Sequence, residues 1–195
     1  MRVLFVASEA WPLAKTGGLG DVAHALPNAL AGLGADVRLL LPAYRTVLRQ
    51  IEGMRVLGWL ETRSGEQLRM LEARHADFDV PLWLVDSARL FDRPGGPYQD
   101  AGGHDWPDNA ERFAALSEAA ALLADDRLDL GWQADVLHAN DWQTGLAMAF
   151  ARELERPPRC IFTIHNIAYD CQIDYGHFSH LHLPSHWWHL EHGEF

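Results

Sequence analysis

The first 41 residues constrain this chain more than any other stretch. Val3–Ala7 is a short, unbroken apolar run with β-branched members, the pattern of a strand buried on both faces. A glycine-rich segment follows, Lys15-Thr16-Gly17-Gly18-Leu19-Gly20-Asp21. Helical periodicity then runs from Val22 to Leu33 with Gly34 as its stop, and Val37–Leu41 is a second apolar strand ended by Pro42. Strand, glycine loop, helix and strand make one βαβ unit, which pairs its strands in parallel through a right-handed crossover.

The middle of the chain reads differently. Met54–Thr62 and Gln67–Arg74 alternate around Ser64-Gly65 as a hairpin, and Val80–Val85 is another strand. Arg89–Pro107 is a long Gly- and Pro-rich loop, and loops of that length in a compact domain are usually functional or mobile. Asp108 and Glu111 have capping-box spacing and open a helix running to Ala124. The βα alternation then returns. Val136–His138 ends a strand, Trp142–Leu154 is a helix broken by Pro157-Pro158, and Cys160–Ile164 is a strand. The whole predicts an open α/β sheet with most strands parallel. It has no repeats, no low-complexity tract and no clean domain boundary.

Composition narrows the class. A chain of 195 residues is one large domain or two small ones, and 48% apolar with 22% charged residues is ordinary for a soluble fold. Sixteen basic against 27 acidic side chains give 16 − 27 = −11, which repels phosphate backbones and anionic lipid. Neither nucleic acid nor membrane is an expected partner. No apolar run approaches the roughly 18 residues of a membrane span, and the N-terminus enters a strand without a cleavage site. Cys160 and Cys171 are too few for a disulfide framework or a four-Cys zinc site, so a reduced, cytoplasmic protein is expected. Fifteen of the 16 basic residues are arginine; the one lysine is Lys15, which points to a special role for it.

Three polar clusters fall at comparable places. Lys15–Asp21 follows the first strand, His138–Asp141 follows a later one, and His165-Asn166 follows the last. Ligands of open α/β sheets bind outside the carboxyl ends of the strands, where such loops converge, so one shared site is the economical reading. The bland reading is that each cluster is a local cap or turn. His138 reads better as a satisfied structural histidine, Trp142 as core, and Asp141 and Asp21 equally well as helix caps or site groups. Lys15 has the weakest bland reading, because a lysine in a glycine loop gains nothing from packing.

The glycine loop suits an anion, since glycine lets backbone N–H groups approach closely and the following helix dipole favours negative charge. Two familiar loops fail on detail. A Walker A frame needs Gly-Lys-Thr/Ser at its close, whereas Lys15-Thr16 precede the glycines and the frame's first position is Ala10. A dinucleotide fingerprint would put its third glycine at Ala23, and the second strand ends Leu41-Pro42-Ala43 with no acidic ribose reader. A nicotinamide enzyme is therefore disfavoured.

Ser8-Glu9-Ala10-Trp11-Pro12 leading into Lys15-Thr16-Gly17-Gly18-Leu19-Gly20-Asp21-Val22 resembles the N-terminal signature of bacterial glycogen synthases and plant starch synthases. Leu41–Tyr44, Asp92–Tyr98, Asp108–Phe113, His138–Trp142 and Phe162–Asn166 follow in the same order as in that family. The resemblance implies a Rossmann-like domain, the N-terminal half of a two-domain GT-B glycosyltransferase. On the resemblance, residues 1–195 would be the acceptor-side domain, itself expected to be incomplete, with the second, nucleotide-binding domain expected to be absent from this chain. It also implies retaining transfer of glucose from ADP-glucose (or UDP-glucose) to the non-reducing end of an α-1,4-glucan, with no metal and no nicotinamide cofactor. On that reading Lys15 and the backbone of Gly17 and Gly18 hold the diphosphate and offset charge on the leaving group. Asp21 orders the loop or reaches the acceptor side. His165 hydrogen-bonds the glucose with its carbonyl near the cationic sugar carbon, Asn166 supports the sugar pocket, and Asp141 faces the sugars.

Two departures stand out. Tyr169 is followed by Asp170-Cys171 where the family continues Gln-Gly. The tail carries histidines at 177, 180, 182, 186, 189 and 192, and His186, His189 and His192 are spaced to share a helix face. Because the matching family segment is a glucan-side loop, no metal site is expected there. Two other readings stay open, a non-catalytic glucan- or nucleotide-sugar-binding module and a nucleotide-cofactor oxidoreductase.

Overall fold

A computed structural model describes residues 1–169 and 173–188. The described residues form a seven-stranded sheet, β1 (Arg2–Val6), β2 (Asp36–Pro42), β3 (Arg55–Glu61), β4 (Gln67–Ala73), β5 (Leu82–Asp86), β6 (Val136–Asn140) and β7 (Arg159–Thr163), in the order β3-β4-β5-β2-β1-β6-β7. Parallel pairing joins β5, β2, β1, β6 and β7, and the β3-β4 hairpin extends the sheet antiparallel beyond β5. The open, mostly parallel α/β sheet predicted from sequence is thus present. β1 lies between β2 and β6, so chain progression reverses direction at β1/β6, the switch point where such sheets leave a crevice.

The strand patterns follow from this placement. Val3 to Val6, all of β5 and all of β6 are buried, which explains their continuous apolar character. Trp83 on β5 meets Trp132 edge-on with ring centres 5.1 Å apart, and the Arg38 guanidinium lies over both rings. The hairpin turns at Gly65, whose φ of +84° favours glycine, with Gly65 N–H donating to Thr62 O at 2.9 Å. β7 is the exception. Among the described residues it pairs only with β6, and Ile161 and Phe162 stand exposed on it.

The helices are α1 (Leu19–Gly32), α2 (Arg45–Leu48), α3 (Asn109–Ala124), α4 (Trp142–Arg152) and α5 (Tyr175–His180), with a 3-10 turn at Ser185–Trp187. The β1-α1-β2 and β6-α4-β7 crossovers run in opposite directions across the sheet. Right-handedness therefore puts α1 and α4 on opposite faces. α3 packs on α4, and Trp142 packs edge-on to Phe113 at 5.2 Å, as a core residue should.

Two helix starts differ from the sequence reading. α1 begins at Leu19 rather than Val22, because Gly18 already has helical backbone angles and the glycine loop feeds straight into the first turn. The capping box of α3 does not form. Asp108 stands at the N-cap, but Arg93 takes its carboxylate with two bonds of 2.8 and 2.6 Å, while Glu111 pairs with Arg89 at 2.6 Å. Bidentate, charge-assisted bonds outcompete a lone backbone N–H. Burial tends to raise the Asp108 pKa, yet the Arg93 bond and charge hold its carboxyl below the usual range.

Candidate active site

The parallel register brings the loops after β1, β6 and β7 to one edge of the sheet. At the centre of that edge is Asn140, the last residue of β6 and fully buried. Its Nδ2 donates to the Val6 carbonyl at the end of β1 (3.0 Å) and to the His138 carbonyl (3.3 Å). Carbonyls only accept, so the amide nitrogen must face them and Oδ1 must face the His165 Nε2 at 3.0 Å. The proton of a neutral His165 therefore sits on Nε2, leaving Nδ1 as the ring's remaining acceptor.

Asp141 ties the same two loops together. Its N–H donates to Thr163 O at 2.9 Å, and its Oδ1 accepts from the His165 N–H at 2.7 Å. It holds φ +58° and ψ 175°, a conformation nearly confined to glycine, and the bonds from Thr144 to its carbonyl help keep it there. Asp141 occupies the N-cap position of α4 but makes no side-chain cap bond. Its carboxylate thus ties the β7 loop through the His165 N–H instead of capping α4. His138 is buried, with Nε2 2.9 Å from Thr163 Oγ1 and its ring edge-on to Phe5. Burial chiefly, and the nearby His165, push its pKa below the ordinary histidine value.

That shift predicts a sign. Below about pH 6.5 the unfolded chain protonates His138 while the folded chain resists, so folding stability falls as pH drops through and below this range. Urea midpoints at pH 7.5 and 5.5 should show a smaller pH-dependent loss in His138→Gln than in the parent chain.

The glycine loop forms a second cluster. Lys15 Nζ lies 2.7 Å from both Asp21 oxygens, an exposed pair of the kind worth only about 0–1 kcal/mol. Beneath it, the buried Glu9 carboxylate accepts from the Thr16 N–H, from Thr16 Oγ1 at 2.7 Å, from the Gly17 N–H at 3.2 Å and from the Tyr98 hydroxyl at 2.5 Å. The Gly17 N–H thus points inward, whereas the Gly18 N–H donates to no described residue. Asp21 sits in the first turn of α1 on Lys15 rather than capping the helix.

Asn166 is exposed, and its Oδ1 accepts from Ala168 N–H at 2.9 Å in a local turn. No described hydrogen bond joins Lys15 or Asp21 to Asp141, His165 or Asn166; the two clusters connect through Asn140 and the β1 backbone. Glu9, Asn140 and Tyr98 all lie inside the family-like motifs, yet the sequence alone assigns none of them to the site. A glutamate between serine and alanine in an apolar segment is the one local signal among them. The Asp170-Cys171 departure and two tail histidines, His189 and His192, lie outside the described residues. Among the described residues no cluster of three His, Cys, Asp or Glu is arranged to hold a metal, and no helix is long and apolar enough to cross a membrane.

The starch synthase catalytic domain family model matches residues 2–195. Glycogen synthase 1 of Methylococcus capsulatus is 47% identical over 195 residues, covering 100% of this chain and 39% of that protein. The glycogen synthase of Halorhodospira halophila is 50% identical over 196 residues, covering 100% of this chain and 40% of that protein. Among solved structures, the catalytic domain of starch synthase IV from Arabidopsis thaliana, bound to ADP and acarbose, superposes with a TM-score of 0.71 at 29% identity, over 86% of this chain and 34% of that one. The chain spans about two fifths of the length of the curated relatives it matches. With nearly every residue inside the family match and a sheet of the same fold, the chain belongs to the starch synthase catalytic domain family.

Proposed function

We propose that this chain forms one side of the active site of a retaining glucosyltransferase that moves glucose from ADP-glucose to the non-reducing end of an α-1,4-glucan. The carrying observation is the Asn140–His165–Asp141 cluster, which fastens the ends of β1, β6 and β7 into one rigid edge beside the glycine loop. Lys15 and the free Gly18 N–H at the start of α1 hold the diphosphate, with Gly17 shaping the loop by its bond to Glu9. His165 offers its Nδ1 to a sugar hydroxyl, and its backbone carbonyl stands on the same loop near the sugar carbon. Asp141 faces the sugars, and Asn166 supports their pocket once its local turn yields. Asp21 holds Lys15 until the donor arrives and orders the loop around it.

The structural neighbour's ADP and acarbose support nucleotide and glucan as ligand classes. The exposed β7 edge supports a larger protein in which more chain covers it. A single half of a cleft cannot clamp the donor from both sides, so the 195-residue chain alone transfers glucose negligibly and binds ADP-glucose weakly.

A chimera tests this reading. Residues 1–195 are joined to the part of the Methylococcus capsulatus enzyme beyond its matched stretch, and incorporation of labelled glucose into glycogen is followed. The chimera is expected to transfer glucose from ADP-glucose. A folded chimera with no transfer, beside an active parent, would refute the assignment.

A further inference from the structure

The loop between β5 and α3 supplies none of the proposed ligand contacts, yet it is pinned throughout. Gly95 takes φ +142°, where a Cβ would lie 2.6 Å from Gln99 O, so the tight turn admits only glycine. The buried Arg112 guanidinium donates to the carbonyls of Leu90 (2.7 Å) and Pro97 (2.8 Å), and Asn109 Nδ2 donates to the Tyr98 carbonyl at 2.9 Å. The backbone on both sides of the Pro97–Tyr98 peptide is thereby fixed. From it the Tyr98 side chain reaches Ser8 Oγ at 2.8 Å and Glu9 Oε1 at 2.5 Å.

Glu9 is 3% exposed and pairs with no cation among the described residues. A buried carboxylate survives only when donors surround it, and here the donors are Tyr98, the Thr16 N–H and hydroxyl, and the Gly17 N–H. Burial, with Tyr44 and Glu9 close by, pushes the Tyr98 hydroxyl far above its ordinary pKa, so it stays protonated. Its single proton goes to the carboxylate, which can only accept, and Ser8 Oγ–H donates to the Tyr98 oxygen.

We propose that Tyr98 is a positioning residue for the glycine loop: through Glu9 it fixes the Thr16 and Gly17 amides, and with them Lys15, where a diphosphate is to be held. The loop from 89 to 107 is then the strut that carries Tyr98. The ligand half of this inference rests on the proposed nucleotide site; the positioning half stands without it.

Tyr98→Phe tests it on the full chain, since the ring and its packing on Phe113 remain and one oxygen is removed. Amide hydrogen exchange is expected to accelerate about tenfold at Thr16 and Gly17 while β4 and β5 keep their rates, matching the loss of one bond to a charged group. The dissociation constant for ADP should rise by a similar factor. Glu9→Gln, which puts a donor where an acceptor is needed, should accelerate the same two amides. Unchanged exchange at Thr16 and Gly17 in both variants would overturn the proposal, and so would acceleration spread evenly over the sheet. If the parent chain binds no ADP, the nucleotide reading fails while the exchange data still decide the role of Tyr98.

Discussion

Replacing Arg112 with methionine lowers the folding stability of the chain by about 3–5 kcal/mol. Arg112 is 1% exposed on α3 and donates to Leu90 O, Pro97 O and Asn109 Oδ1, the last at 2.6 Å. Burial pulls its pKa below the ordinary arginine value, but a guanidinium remains charged at any working pH. Among the described residues no carboxylate pairs with it; the rings of Phe113, Phe91, Trp106 and Tyr44 surround it with centroids 5.4, 5.6, 5.8 and 6.0 Å away. Methionine fills part of the volume and leaves the buried Leu90 and Pro97 carbonyls, and the half-buried Asn109 Oδ1, without this donor, each buried acceptor costing about 1–3 kcal/mol. The melting temperature should fall by roughly 10 °C for a chain of this size. Arg112→Lys should recover little, because one ammonium cannot span both carbonyls. Urea unfolding measures the difference, and a loss below about 1 kcal/mol would mean that the loop does not depend on this residue.

The second large effect concerns Lys15. In the chimera, Lys15→Ala is expected to lower kcat/KM for ADP-glucose by about 10²–10³-fold, the usual cost of removing one group that stabilises charge on a leaving group. The lysine stands beside the glycine loop with its ammonium on Asp21 alone among the described residues, and that exposed pair is weak enough for a diphosphate to displace it. Lys15→Arg should restore only a small part, since a rigid planar guanidinium fork does not present its charge as a compact ammonium does. An activity loss below about threefold would remove Lys15 from the proposed machinery.

Much of the fold was legible in the sequence because it rests on short-range signals. The apolar run at Val3–Ala7, the alternation across Gly65 and the stop at Gly34, which takes φ +90°, are each readable within a few residues. The failed capping box at Asp108 shows the limit, since its competitor Arg93 arrives from an irregular loop. The positions of Lys15, Asp21, Asp141 and His165 were legible too, because parallel strands deliver their following loops to one edge. What joins them was not. Asn140 bonds Val6 across 134 residues, and Tyr98 bonds Glu9 across 89, and no local pattern encodes such pairs. Asn166 follows β7 at the same edge, but its side chain spends its acceptor on the Ala168 N–H, a turn that no motif announces.

The most direct measurement is an amide NMR titration of the 195-residue chain with ADP. Shifts concentrated at Lys15, Thr16, Gly17 and Gly18, and weakened by Lys15→Ala, are the predicted result. Shifts confined to the 580 Å³ cavity at the opposite edge of the sheet, between Gln133–Val136 and Arg156–Arg159, would contradict it, as would no shifts at saturating ADP.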